Sequence, residues 1–147
     1  LRLNTEATAE NVKALAPYAV FFAAGVFYYF LKEQVRTLVS AMAAAFPGGK
    51  LVFDAAGKSA VKLMLKTWIK SAKIRDVGAY FSVEDPENEL RDWAPGLRVS
   101  QRGYMLGYHD LKDPSVSGFF RFLSKVGDGR MKMRIVRLDF GKGGENG

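Results

Sequence analysis

Apolar and polar positions along this chain change spacing several times, and each change marks an element. Residues 6–16 have helix-friendly composition, and Pro17 is expected to close that stretch by driving the residue before it away from helical angles. Residues 19–24 are apolar at every position, the pattern of an inner parallel strand covered on both faces, and Gly25 is a natural place for the chain to leave the sheet. From Leu31 the spacing becomes helical, with Leu31, Val35, Leu38, Val39, Met42 and Phe46 on one face and Lys32, Glu33, Arg36 and Ser40 opposite, until Pro47-Gly48-Gly49 ends it. Residues 51–53 then form a short buried strand, so strand, helix and strand make a right-handed crossover in a parallel sheet.

Residues 59–73 predict a second amphipathic helix, with Val61, Leu65, Trp68, Ile69 and Ala72 inward and Lys58, Lys62, Lys66 and Lys70 in a stripe at four-residue spacing. Asp85-Pro86 is a helix start, an N-cap carboxylate before proline, opening a short acidic helix that runs to Trp93 and stops at Pro95-Gly96. Two further strands are expected over 97–106 and 131–140, separated by a helical or irregular stretch at 116–125 and a turn at Gly127-Asp128-Gly129. In the last strand Met131, Met133 and Ile135 alternate in one phase and Val136, Leu138 and Phe140 in the other, which predicts a bulge or a face switch. Residues 141–147 read as a flexible glycine-rich tail. The pattern as a whole is α/β.

Composition narrows the function classes. The chain has 147 residues, 48% of them hydrophobic, enough for one domain with a core. It has no cysteine and a single histidine, which leaves no disulfide framework and no thiolate or histidine-rich metal site, and fits a reducing cytoplasm. The longest apolar stretch, residues 18–31, is interrupted by Gly25 and falls short of the ~20 residues that span a bilayer, so no membrane is expected. A net charge of +7 invites a nucleic-acid reading. The chain carries none of the recurring aromatic-basic or helical DNA-reading signatures, which disfavours that partner.

The block Ala23-Ala24-Gly25-Val26-Phe27-Tyr28-Tyr29-Phe30, an amphipathic helix, and then Phe46-Pro47-Gly48-Gly49-Lys50-Leu51-Val52-Phe53-Asp54 resembles the class I S-adenosylmethionine-dependent O-methyltransferases. The likeness is to the group that includes leucine carboxyl methyltransferases and tetracenomycin-type polyketide O-methyltransferases. It extends more loosely through the segment around Trp68, the Trp93 helix and the two late strands. It implies the C-terminal half of a Rossmann-like methyltransferase sheet, parallel strands with a final antiparallel strand, whose N-terminal half is missing; Leu1, not Met, opens the chain. Two departures accompany it. Ala24 stands where that family usually has an acidic residue. The glycine-rich cofactor loop and the ribose-binding acid have no counterpart, because neither Gly48-Gly49 nor Gly127-Asp128-Gly129 opens a helix after a strand.

The resemblance implies that Ala24 and Gly25 flank the cofactor, S-adenosylmethionine, although a tight strand-to-helix turn would also use that glycine. Tyr28 and Tyr29 could line a pocket for a small-molecule acceptor, or serve as ordinary core aromatics. Asp54 could orient the acceptor, although such an Asp more often caps the following segment. Trp68, beside the lysine stripe, is a further candidate for substrate contact; the stripe itself reads first as a solvated helix face. His109 could act as a base, or be a lone surface histidine. No catalytic residue is identifiable, which suits methyl transfer: displacement on an activated carbon needs alignment and a dry pocket, and a carboxylate acceptor needs no base. Alternatives of other classes are a basic nucleic-acid-binding module and a non-catalytic domain completing another chain's sheet. The chain alone is not expected to bind S-adenosylmethionine tightly. It is expected to associate with its missing half or with a second copy.

Overall fold

A computed structural model describes residues 14–68, 80–104 and 113–142, with the side chains of 67 and 68 excepted. Residues 14 and 15 are helical and lead into a 3-10 turn, Ala16–Tyr18. Pro17 therefore sits inside a helical turn, at its start, where the missing N–H costs nothing, and does not break the chain there as expected.

Strand β1, Val20–Ala23, ends at Gly25, whose φ of 65° only glycine adopts without strain. A 3-10 turn, Phe27–Tyr29, then leads to helix α1, Lys32–Ala45. The Gln34 side chain accepts from the Leu31 backbone N–H at 2.9 Å, satisfying one of the donors a helix start leaves unpaired. Val35 and Val39 are its buried stripe. The helix stops where Pro47-Gly48 turns the chain, Gly48 having φ 79°. Strand β2, Lys50–Ala55, alternates, with Leu51, Phe53 and Ala55 buried.

Helix α2, Lys58–Trp68, buries Ala60, Val61 and Leu65. Helix α3, Pro86–Leu90, starts as the sequence indicates: Asp85 is the N-cap and its carboxylate accepts from Asn88 N–H and the Asn88 side chain. A 3-10 turn, Arg91–Trp93, follows, then strand β3, Arg98–Gly103. Helix α4, Gly118–Lys125, is capped by the Ser117 hydroxyl, which accepts from Phe120 N–H at 3.2 Å, and runs into a π-helical turn at Val126–Arg130 where a simple turn was expected. Strand β4 is Arg134–Asp139.

The four strands form one mixed sheet in the order β1-β2-β4-β3. β1 and β2 are parallel, in the register Val20↔Lys50 to Ala23↔Phe53, and β4 runs antiparallel to both β2 and β3. The last strand therefore enters the sheet reversed, between β2 and β3. Its ladder with β2 is continuous from Ala55↔Arg134 to Lys50↔Asp139, so the expected bulge is absent. The two phases are the two faces of the strand, Ile135 opposite Asp54 on one and Val136 opposite Phe53 in the core on the other, while Lys132, with φ 52°, leaves Met131 and Met133 outside the ladder.

One face of the sheet carries the core. Phe21, Ala23, Leu51, Phe53, Ala55, Val136 and Leu138 pack with Val35 and Val39 of α1, Leu90 of α3, and Phe81 and Trp93. Phe27, Phe53 and Phe81 meet pairwise at centroid distances of 5.1, 5.8 and 5.9 Å, tilted or edge-on as ring quadrupoles prefer. The opposite face, bearing Val20, Phe22, Ser100, Arg98, Arg102 and Arg137, is open to solvent. The expectation that β1 is an inner strand covered on both faces is corrected accordingly. Among the described residues it pairs only with β2, and Phe22 is 76% exposed. Alternate residues of a strand face opposite ways, and α1 and α3 pack on the Phe21 and Ala23 side. Gly141, first residue of the expected flexible tail, is held: its carbonyl accepts from Gly48 N–H, and a Cβ there would sit 2.8 Å from the Pro95 carbonyl.

Candidate functional site

The parallel strands β1 and β2 end side by side, and the residues just beyond them come together. The Asp54 carboxylate, near the end of β2, accepts a 2.6 Å hydrogen bond from Gly25 N–H, just past the end of β1. The buried Tyr28 lies beside the same carboxylate. Burial first, then the adjacent Asp54 carboxylate, push its phenol well above the ordinary tyrosine range.

Gly25, Tyr28 and Tyr29 together with Met64 and Leu65 of α2 line an apolar cleft of about 290 Å3. Tyr29 lies 53% exposed at its mouth. Four of the candidates from the sequence, Gly25, Tyr28, Tyr29 and Asp54, thus meet at one place. The carboxyl ends of parallel strands are where open α/β sheets hold their ligands, because the connecting loops diverge there.

Asp54 does not cap the helix that follows it. That position is taken by Glu84, from a distant segment, whose carboxylate accepts from Lys58 N–H at 2.7 Å and pairs with Lys132 at 3.0 Å. The Lys58 N–H bond, followed by Lys132, holds the Glu84 carboxyl below the usual range. With the helix start served by Glu84, the Asp54 carboxylate turns back across the sheet end to β1.

Segment 80–84 carries no signal that sequence reasoning used, yet it ties the two strand-end loops together. Phe81 N–H donates to the Phe30 carbonyl at 2.8 Å and Val83 N–H to the Ala56 carbonyl at 2.9 Å, with both side chains in the core. The alternation Phe81-Ser82-Val83 before Asp85-Pro86 was the available clue. Glu89 supports the same corner, accepting from Glu84 and Asp85 N–H and pairing with Lys32 at 2.6 Å. Desolvation alone would raise its pKa, but these bonds outweigh it and hold the carboxyl below its ordinary value.

The remaining candidates are not part of this cluster. Ala24 is exposed on the loop beside Gly25, and a Cβ on Gly25 would meet nothing within 4 Å, so the backbone there cradles no group closely. Lys58, Lys62 and Lys66 are exposed, in keeping with a solvated helix face. Trp68 ends α2, with its side chain outside the described residues; Lys70 and His109 also lie outside them. Among the described residues no group of acidic or histidine side chains could hold a metal ion, and no helix is long and apolar enough to cross a membrane. No known protein family, curated protein or solved structure matches this chain.

Proposed function

We propose that this chain is the acceptor-side part of an S-adenosylmethionine-dependent O-methyltransferase acting on a small-molecule or carboxyl acceptor. The observation that carries the reading is the convergence of Gly25, Tyr28, Tyr29 and Asp54 beside an apolar cleft, at the carboxyl ends of two adjacent parallel strands. The reversed strand β4, entering the sheet after the parallel pair, is the arrangement the sequence resemblance implies. The open sheet face and a β1 edge without a partner among the described residues fit a sheet that further chain would complete.

The residues present do not fit the whole cofactor. Gly25 has spent its N–H on Asp54 and has open space around it, so its backbone offers a nucleoside neither a donor nor a close cradle. The glycine-rich cradle must come from other residues, and no step of the reaction is assigned to Ala24 or Gly25. What this chain supplies is a dry, aromatic-walled slot. Tyr28, buried beside Asp54, serves as wall, while Tyr29 keeps its ring and hydroxyl at the mouth, free to orient an acceptor.

The test is methyl incorporation from a labelled donor when the chain is combined with the glycine-rich half of a methyltransferase of this type. Incorporation that Tyr29→Ala reduces about tenfold supports the reading. A formed complex with no incorporation into any phenol or carboxylic acid overturns it, as does tight oligonucleotide binding that falls steeply with salt.

A further inference from the structure

The outer edge of β1 follows from one hydrogen bond. Lys50 N–H donates to the Ala19 carbonyl at 2.8 Å, so the backbone groups of Ala19, and by alternation those of Phe21 and Ala23, face β2. Those of Val20 and Phe22 therefore point outward, and among the described residues nothing pairs with them in the sheet. The same two residues carry their side chains on the open face, 47% and 76% exposed. Unpaired backbone and exposed apolar side chains at the same positions call for another strand.

The edge is its own complement. In an antiparallel pair, residues with outward groups exchange both hydrogen bonds when placed opposite each other. Two copies of β1 related by a two-fold axis at Phe21 set Val20 against Phe22 of the other copy, twice, and satisfy every outward group. A two-fold normal to the sheet keeps side chains on their own face, so each Phe22 ring covers the opposing Val20. Residues 14–31 carry no charge, whereas the chain as a whole carries +7. Copies repel one another over most of their surface and least across this segment. The nearest cation on that face, Lys50, lies one strand inward; two such lysines would stand three strand spacings apart, about 14 Å, beyond the Debye length in physiological salt.

We infer that the chain by itself is a symmetric homodimer, joined by antiparallel β1–β1 pairing about Phe21 into one eight-stranded sheet. The edge is the one that a glycine-rich half would cover, so the dimer is the state of this chain without that partner, and its failure leaves methyl transfer untouched.

Sedimentation equilibrium of the full chain, from micromolar to hundreds of micromolar, should give a dimer. Phe22→Lys and, separately, Val20→Lys place each lysine opposite an apolar residue of the other copy, with its own like charge on the diagonal across the axis, and should raise the dimer Kd by about 100-fold or more, with far-UV circular dichroism unchanged. The sequence has no cysteine, so Phe22→Cys takes a single spin label. Its diagonal partner in the second copy lies about 7–8 Å away, giving strong dipolar broadening even if the lysine variants fail to fold. A monomer at every concentration, open polymers, a dimer indifferent to both lysines, or labels too distant to broaden would each overturn the inference.

Discussion

The two edges of the sheet are built differently. β3, at one side, is Arg98-Val-Ser-Gln-Arg-Gly103, with Arg98, Ser100 and Arg102 exposed. Charges on an outer strand deter further pairing, since another strand laid alongside would have to desolvate them. β1, at the other side, is Val-Phe-Phe-Ala inside a segment without a charge, and it presents Phe22 to solvent. One chain thus closes its sheet at β3 and leaves it joinable at β1. The lesson is that an exposed apolar strand need not be a folding defect when the opposite edge of the same sheet is guarded. The site lies on the joinable side, where Asp54 fastens the end of β1 to β2.

Removing the guard should have the largest effect. Arg98→Val combined with Arg102→Val makes both edges apolar, so a symmetric pair can no longer end the assembly, and static light scattering should register masses growing far beyond a dimer. An unchanged mass would mean that charge is not what distinguishes the two edges.

Next in size is the fastening of β1. Tyr28→Phe removes a buried phenol hydroxyl beside a carboxylate and should lower stability by about 1 kcal/mol in urea unfolding. Its pH dependence has a definite sign. The folded pKa is raised above the unfolded value of about 10, so the contribution is complete below that pH and is lost as pH rises further. Ultraviolet titration of the wild type should leave Tyr28 protonated well above the ordinary tyrosine range, and Asp54→Asn should bring its titration toward that range.

Gly25→Ala is comparable in size. Space is open around this position, so the cost is the positive φ alone, about 1–2 kcal/mol by the same unfolding measurement. A neutral result would mean that the β1 turn rearranges freely.

Smallest is the contribution of Glu84 on the far side of the site. Its folded pKa is lowered, so its stabilisation is present above the unfolded carboxylate value near 4.3 and lost as pH falls through the folded value. Because the group is largely exposed, Glu84→Gln should cost only about 0.5 kcal/mol near neutrality and flatten the acid limb of the stability profile.

Much of this architecture is a local matter. The apolar run at β1, the helical spacing of Val35 and Val39, the alternation of Leu51 and Phe53, and the Asp85-Pro86 start each reflect periodicity or capping within a few residues. Sequence alone therefore determined the β1–α1–β2 unit and the placing of Gly25, Tyr28, Tyr29 and Asp54 at strand ends, while the reversed last strand was implied only by the family resemblance. Tertiary structure decided what depends on which partner arrives. Asp54 was equally able to cap α2 or to cross to Gly25, and Glu84, thirty positions along the chain, settled the choice by taking Lys58 N–H first. An all-apolar strand was equally suited to the middle of a sheet or to its edge, and the packing of α1 and α3 on the Phe21 and Ala23 side left Val20 and Phe22 exposed. A periodicity records how a residue faces along its own element; which neighbour occupies that face is a long-range fact, fixed when the elements pack.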